Sequence, residues 1–424
     1  MNSIRTKLNN MVVRIGLILG FDSKYVFSGT FWMTVGQTIA ALTSFCLALA
    51  FAHFLSKDTY GNYKFVLSIA TLLSSLTLSG LGTVIVQAAA RNQDGFLQKA
   101  FALNLKWSTF FTVAMVVVAA YYYAQGNHAL AVSVLIAGFL APVFASANFY
   151  DSFLAGKKAF KASALLDGLS VAVPAAILIG CMILTQNFVI LILAYYISNT
   201  ASNLAIYAYV ARAYKKNDDM DSASIGYGKH LSLMNIFSAV ANNIDQILIF
   251  HYLGAASLAI YAFAIAIPEQ LKGVIKNVGN LALPKFSERD AHDINATIWK
   301  KILLFMLVVV LGVAFYIAVA PVIFRIFFPQ YLESLAYSQI YSLSLIVTVS
   351  VIPSSALQAQ SAKKELYAST IYSSLFQITL IFGFVYFYGL WGVVWARVIT
   401  RGTTFLISAG YWNAFTKRTS VQLK

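Results

Sequence analysis

Two arginines late in the chain have a spacing that suits the binding of an anion. Arg397 and Arg401 are four residues apart in an apolar segment at 390–412, so they share one face if that segment is a helix. A guanidinium binds two oxygens of a phosphate at once. Two interpretations follow: an anion site in a cavity, or structural ion pairs with acidic residues of neighbouring helices.

A second basic pair, Lys272 and Lys276, has the same spacing in the apolar segment at 257–282. Glu269 lies one turn before Lys272 and follows Pro268, which removes a backbone hydrogen bond and is expected to kink a helix. We expect a kinked, charged helix centre to line a water-filled cavity. The alternative is that Glu269 pairs with Lys272 while Lys276 extends to the membrane surface.

Two acidic residues also lie inside apolar segments. Asp245 is in the middle of the segment at 230–253, and Asp167 is about one turn into the segment at 163–184. Each suits a proton carrier or an ion pair with an arginine, and the ion pair is favoured for Asp245. An ionised group at bilayer depth costs about 2.5–3.5 kcal/mol, so each needs a partner or a function. The deep bases outnumber the deep acids, which favours an anionic substrate over a cationic one.

The segments that position these residues have the length of membrane spans. Hydrophobic residues make up 59% of the 424 residues and charged residues 11%, whereas a soluble domain has about 25% charged residues. Apolar runs of about 20 residues cross a bilayer as helices. The sequence therefore predicts an all-α polytopic membrane protein with about twelve transmembrane helices. The predicted spans are 26–52, 61–88, 107–125, 129–150, 163–184, 187–210, 230–253, 257–282, 302–327, 335–357, 367–387 and 390–412.

The basic residues predict the orientation in the membrane. The net charge is +15, but most of the 30 Lys and Arg residues lie in short clusters between alternate spans, and only Lys57, Lys64 and Arg325 fall on the opposite side. This is the positive-inside pattern, which places both termini in the cytoplasm. Such dispersed clusters exclude a nucleic-acid partner. We expect residues 11–21 to form a short interfacial segment before the first span.

Internal similarity predicts a repeat. Residues 53–65 resemble 251–263, with His, Leu, Tyr and Phe at matching positions, and 157–164 resemble 363–370, with two lysines and an Ala-Ser pair in common. Both matches are separated by about half the chain. We therefore predict two six-helix lobes, 1–212 and 213–424, related by an axis along the membrane normal, with a V-shaped central cavity between them.

Motifs of enzymatic chemistry are missing from the sequence. It contains no P-loop, no His-Glu-x-x-His, no Gly-x-Ser-x-Gly and no Asp-rich metal motif. We expect neither an enzyme nor a cofactor. Energy for any transport must then come from a gradient of H⁺ or Na⁺, or from the substrate itself.

Six short segments carry a resemblance to a known family. They are Asn243-Ile-Asp-Gln-Ile-Leu-Ile-Phe-His-Tyr-Leu-Gly254, Ala259-Ile-Tyr-Ala-Phe-Ala-Ile-Ala-Ile-Pro268, Pro284, Gly80-Leu-Gly82, Tyr388-Gly-Leu-Trp-Gly392 and Ala155-Gly-Lys-Lys158. Together they resemble the polysaccharide-transport, or Wzx-type, flippases of the multidrug/oligosaccharidyl-lipid/polysaccharide exporter superfamily.

The resemblance implies a twelve-helix, two-lobed fold in the bacterial inner membrane and a lipid-linked oligosaccharide as cargo. An undecaprenyl pyrophosphate anchor would be turned from the cytoplasmic to the periplasmic leaflet by alternating access, in contact with membrane lipids and a glycan polymerase. Arg397, Arg401, Lys272 and Lys276 would attract the pyrophosphate, while Asp245, Glu269 and Asp167 would couple transport to an ion or form ion pairs. The alternatives are a multidrug/cation antiporter and a membrane-embedded glycan polymerase or ligase.

Overall fold

The fold is helical throughout the part of the chain that can be described. The computed structural model describes residues 23–220, 224–287, 291–360 and 362–422. These residues form helices and no β-strand, which confirms the predicted all-α class. The predicted interfacial segment at 11–21 lies outside the described residues.

Fourteen α-helices are assigned within these ranges. In chain order they are α1 (Ser23–Phe54), α2 (Lys57–Leu73), α3 (Leu81–Ala90), α4 (Phe96–Trp107), α5 (Thr109–Ala124), α6 (His128–Ala147), α7 (Phe149–Gly156), α8 (Phe160–Leu184), α9 (Phe188–Ala213), α10 (Ser224–Ser287), α11 (Ala291–Phe327), α12 (Ser334–Leu343), α13 (Val351–Ala359) and α14 (Lys363–Gln422). Short 3₁₀ helices at Ser74–Leu76, Pro329–Tyr331 and Ile346–Ser350 connect some of them.

The described helices include many that can cross a bilayer. Nine are long and apolar enough, and the pair Lys57–Leu76 and Leu81–Ala90, bent by 62°, adds a tenth. Two of the nine, Ser238–Gly273 and Lys364–Arg418, contain a break. The second has 55 residues, about 80 Å of helix against about 30 Å of hydrocarbon. Dividing both at their breaks gives twelve apolar segments among the described residues. Twelve crossings and cytoplasmic termini stay predictions.

Glycine makes both breaks possible. Gly254 interrupts α10 with φ 85°, and Gly389 interrupts α14 with φ 56°. A residue with a side chain lowers the stability of the fold by roughly 1–2 kcal/mol when its φ lies in this left-handed region, whereas glycine carries no such cost. These two glycines belong to the segments that resemble the flippases, so the structure gives those positions a physical role as helix-reversal points.

The predicted span at 61–88 is interrupted in the structure. α2 ends at Leu73, and Thr77 is extended with φ −90° and ψ 172°. After the interruption the backbone N–H of Leu78 donates to Asn104 Oδ1 at 2.9 Å. Asn104 is buried in α4 and supplies an acceptor that the broken helix lacks. Hydropathy is a local property and does not reveal a partner distant in sequence, so the sequence predicts one continuous span at 61–88.

The chain divides into two compact units, one comprising residues up to Ala50 and Leu73–Asn235, the other Phe51–Leu72 and residues from Ile236 onward. In the first unit, large buried side chains from α3, α4 and α7 form an apolar core around Ile85, Phe96 and Phe153. In the second, Val313 and Trp412 are in the core, and Trp412 Nε1 donates to Asn295 Oδ1 at 3.1 Å. The predicted lobes 1–212 and 213–424 remain a prediction.

The end of α7 has an unusual residue. Ala159 N–H donates to the carbonyl of Leu154, and Lys158 N–H to that of Ala155, both at 3.0 Å. This is a Schellman motif, whose left-handed position is usually glycine or asparagine. Here Lys158 occupies it with φ 60°, at a cost of roughly 1–2 kcal/mol. The corresponding turn after α3 uses Asn92 at φ 60°, a residue that tolerates this conformation.

Candidate functional site

A polar cavity of about 540 Å³ lies within the second compact unit. Its walls come from α10, α12, the 3₁₀ helix Ile346–Ser350, α13 and α14. Among the residues predicted from the sequence, the cavity is lined by Asp245, Glu269, Lys272, Arg397 and Arg401. The structure thus brings together five of the seven predicted site residues.

Arg397 forms a buried ion pair with Asp245. Its Nη2 is 2.6 Å and its Nε 2.8 Å from Asp245 Oδ2, while Nη2 also donates to the carbonyl of Asn242 at 2.8 Å. Tyr261 donates its hydroxyl proton to the same carboxylate oxygen. The two charged side chains are 7% and 1% exposed. This cluster links α14 to both halves of α10 and satisfies both charges with protein partners.

Arg401 reaches a second cluster one turn further along α14. It donates to Glu269 and, at 2.6 Å, to Ser344 Oγ. Lys272 donates to the other carboxylate oxygen of Glu269, so this single acid faces two cations. Arg401 also lies over the ring of Tyr341, with its Cζ 4.9 Å from the centroid, and donates to the Tyr341 hydroxyl at 2.9 Å.

The two clusters differ in what a ligand could reach. The side chains of Lys272 and Glu269 are 33% and 31% exposed and that of Arg401 is 15% exposed, whereas Arg397 and Asp245 are almost fully covered. Among the described residues, three cations and two acids line the cavity. If all five are charged, one positive charge stays unbalanced, and it lies in the cluster that faces the cavity. The arrangement can accept an anion without breaking the buried pair.

Sequence reasoning did not identify the hydroxyl groups of the site. Tyr261 contacts Asp245, and Tyr341 and Ser344 contact the Arg401 cluster. Tyr261 stands inside one of the segments that resemble the flippases, but its sequence context does not identify an acid partner. For Tyr341, a signal was present: serines recur through the apolar segment around it, and those at 334, 338, 342 and 344 are buried. Buried hydroxyls along one span are typical of a polar helix face.

One of the remaining two predicted residues, Asp167, is outside this cavity. Asp167 belongs to the first compact unit, in α8. Ser163 Oγ lies 3.2 Å from Asp167 Oδ2 and 2.8 Å from Asp151 Oδ1. A hydroxyl has one proton, so it can donate to only one of the two carboxylates at a time. Among the described residues, neither acid forms an ion pair with Lys or Arg. The side chain of Lys276 lies outside the described residues.

Comparisons with solved structures place the fold. An inward-facing multidrug resistance MATE family transporter of the MOP superfamily is 15% identical with a TM-score of 0.67, over 92% of this chain and 98% of that one. A MOP superfamily transporter from Pyrococcus furiosus is 15% identical with a TM-score of 0.64, over 93% and 96%. The lipid II flippase MurJ in an inward closed conformation is 14% identical with a TM-score of 0.68, over 90% and 86%. At these identities the likeness establishes the shared fold.

The sequence comparisons give the family. No curated protein matches the chain, but the family model described as polysaccharide biosynthesis protein matches residues 26–289. That match covers more than half of the chain, and it agrees with the resemblance of the short segments and with the fold of the solved structures. This multi-pass membrane chain therefore belongs to the polysaccharide biosynthesis protein family, and it has the fold of the MATE transporter and MurJ structures.

Proposed function

We propose that this protein is a flippase in the bacterial inner membrane that turns an undecaprenyl-pyrophosphate-linked oligosaccharide from the cytoplasmic to the periplasmic leaflet. It works by alternating access, without covalent catalysis and without a cofactor. The two predicted lobes rock about the cargo, and a gradient of H⁺ or Na⁺ drives the cycle. A glycan polymerase receives the product on the periplasmic side.

The observation that carries this proposal is the surplus positive charge in the cavity of the second unit. Lys272 and Arg401 share Glu269 and are open to the cavity, while Arg397 is held in the buried pair with Asp245. A pyrophosphate entering the cavity would compete with Glu269 for the two cations, and the guanidinium fork suits its oxygens. We assign anion binding to Lys272 and Arg401 and a structural role to Arg397. A contribution from Lys276 stays a prediction.

Ion coupling is assigned to the first unit. Asp151 and Asp167 both contact the hydroxyl of Ser163, whose single proton serves only one of the two carboxylates at a time. Two carboxylates this close disfavour double ionisation, so the pair takes up a proton or Na⁺. We propose that this uptake couples the ion gradient to the orientation of the protein. Glu269 takes part because Lys272 and Arg401 pair with Glu269 when the cavity is empty and with the cargo when it is bound.

A multidrug/cation antiporter is the second candidate, because Glu269 is open to the cavity and the fold is shared with MATE transporters. A cationic drug would bind an acid that is not already paired. Glu269 contacts both Lys272 and Arg401, so a cation would need to displace two protein partners. The cavity therefore favours the anionic cargo.

The test uses proteoliposomes that contain a fluorescent polyprenyl-pyrophosphate oligosaccharide and the double variant Lys272→Gln/Arg401→Gln. We expect normal insertion and at least a tenfold loss of flipping, because two anion contacts are removed. Arg401→Lys should keep part of the activity, since charge remains but the fork is lost, and Arg401→Glu should be worse than Arg401→Gln. The same order should appear in complementation of a flippase-deficient strain.

A matched control removes the same charge elsewhere. Lys300→Gln/Lys301→Gln replaces two exposed lysines of α11 that do not line the cavity, and it should flip at the wild-type rate. Equal activity of Arg401→Glu and wild type would exclude an anion site. Cation-drug efflux that depends on Glu269, with no flipping of the glycolipid, would favour the antiporter instead.

A further inference from the structure

A second concave surface, outside the polar cavity, lies in the first compact unit. It encloses about 690 Å³ between the beginning of α8 and the end of α9. We call it the α8–α9 groove. Its lining is Lys158, Ala159, Phe160, Lys161, Ala162, Leu165, Leu166, Leu169, Tyr209 and Tyr214. Basic residues are thus at one end, and apolar and aromatic side chains form the rest.

The apolar part of the groove matches acyl chains. Leu165 is 43% exposed, and Leu169 and Tyr209 are each 53% exposed. They are in helices that are apolar enough to cross a bilayer, so these side chains face either lipid or another apolar surface. The leucines at 165 and 169 are one turn apart, which gives a continuous apolar strip along α8.

The basic end suits a phosphate group. Lys161 Nζ lies 5.5 Å from the centre of the Trp32 ring. This cation–π contact holds the ammonium group at the basic end of the α8–α9 groove. No ion pair among the described residues includes Lys161. Lys158 occupies the left-handed position of the Schellman motif, where glycine would be less strained. A strained residue at a ligand-facing position is a reason to look for a function.

We propose that the α8–α9 groove binds one anionic phospholipid of the cytoplasmic leaflet. Lys158 and Lys161 bind its phosphate, and Leu165 and Leu169 contact an acyl chain. Basic residues at the cytoplasmic membrane surface attract anionic lipids, and the predicted orientation places this end of α8 there. None of the described residues in the lining is Asn, Gln, Asp or Glu, so the groove has few groups that would recognise sugars. This favours a phospholipid over the lipid-linked glycan.

The first experiment is native mass spectrometry of the full chain with phosphatidylglycerol or phosphatidylcholine added at equal concentration. Wild type should retain phosphatidylglycerol preferentially. Lys158→Gly/Lys161→Gln should bind phosphatidylglycerol about 30-fold more weakly, the factor expected for two lysine–phosphate contacts at a membrane surface, and should bind phosphatidylcholine unchanged. The change Lys158→Gly also relieves backbone strain, so the Tm of the double variant should be no lower than that of Lys161→Gln alone.

Two controls separate the site from general charge. Lys99→Gln/Lys106→Gln removes two exposed lysines of α4 and should keep the preference. Lys158→Arg/Lys161→Arg should keep it as well. Equal binding of the two lipids by wild type, or an equal loss in the α4 variant, would overturn the proposal.

A measurement on the unmodified protein makes the result independent of variant folding. A photoreactive phosphatidylglycerol should label peptides that contain 158–169 and 209–214 above other membrane-facing peptides. Even labelling of all helices would refute the groove. If undecaprenyl pyrophosphate displaced the probe there at lower concentration than phosphatidylglycerol, the occupant would be the cargo lipid and the proposal would be wrong.

Discussion

The buried pair of Arg397 and Asp245 provides a direct test of its structural role. In Arg397→Gln, the contacts of 2.6 and 2.8 Å with the carboxylate and of 2.8 Å with the Asn242 carbonyl are lost. Asp245 would then be a buried charge that keeps, among the described residues, the hydroxyl of Tyr261 as its side-chain partner. Its side chain is 1% exposed in the native protein, so solvent contributes little to neutralising the carboxylate that the guanidinium now pairs. We therefore expect a large loss of stability rather than a selective loss of transport.

The expected loss of stability in Arg397→Gln follows from the burial of the ion pair. Removing one partner of a buried ion pair costs about 3–5 kcal/mol, and 1 kcal/mol lowers Tm by about 2–4 °C in a unit of 150–250 residues. Arg397→Gln should therefore melt about 10 °C lower than wild type. In Arg401→Gln the loss should be about 1 kcal/mol, because Glu269 keeps Lys272 and is partly solvated.

The assay is fluorescence-detected size-exclusion chromatography after heating, on detergent-solubilised protein. The double variant Asp245→Asn/Arg397→Gln is the decisive control, since neither group is then charged and an amide pair can form hydrogen bonds. It should recover more than half of the lost Tm. If Arg397→Gln melts like wild type, or if the double variant melts lower than either single variant, the buried pair does not hold α10 and α14 together.

Three further predictions address orientation, helix reversal and coupling. In a background lacking Cys46 and Cys181, cysteines placed at Ser224 and Asn127 should be labelled from opposite sides of the membrane, with Ser224 cytoplasmic. Gly389→Ala should lower stability by about 1–2 kcal/mol, measured as a fall in Tm, because φ at this position is 56°. Asp151→Asn/Asp167→Asn should retain cargo binding but remove the dependence of flipping on an imposed ion gradient, measured in proteoliposomes.

A specific result would contradict each of these three predictions. Labelling of both cysteines from one side would make the orientation and the span count wrong. Gly383, which lies within the regular part of α14, is the control for Gly389: its change to Ala should be neutral or stabilising, and equal effects at both positions would remove the conformational explanation. Gradient-driven flipping at the wild-type rate in the carboxamide variant would exclude the Asp151 and Asp167 pair as the coupling site.

The sequence by itself determined the class of the protein and the residues that needed an explanation. A segment of about 20 apolar residues has one stable solution in hydrocarbon, a helix whose backbone groups bond within the segment. This requirement is local, so hydropathy located most spans. The cost of charge at depth is equally local, so hydropathy and charge together singled out Asp245, Glu269, Lys272, Arg397 and Arg401.

Only the tertiary structure decided how those charges pair. Arg397 meets Asp245 across 152 residues, and Arg401 meets Glu269 across 132 residues. The spacing of the arginines shows that they share a helix face, but it does not show which acid faces each of them. The pairing depends on how the halves of α10 and α14 pack after the reversals at Gly254 and Gly389. The same packing covers one pair and leaves the other open to the cavity. Burial of that kind is set by neighbours distant in sequence, and no local pattern records it.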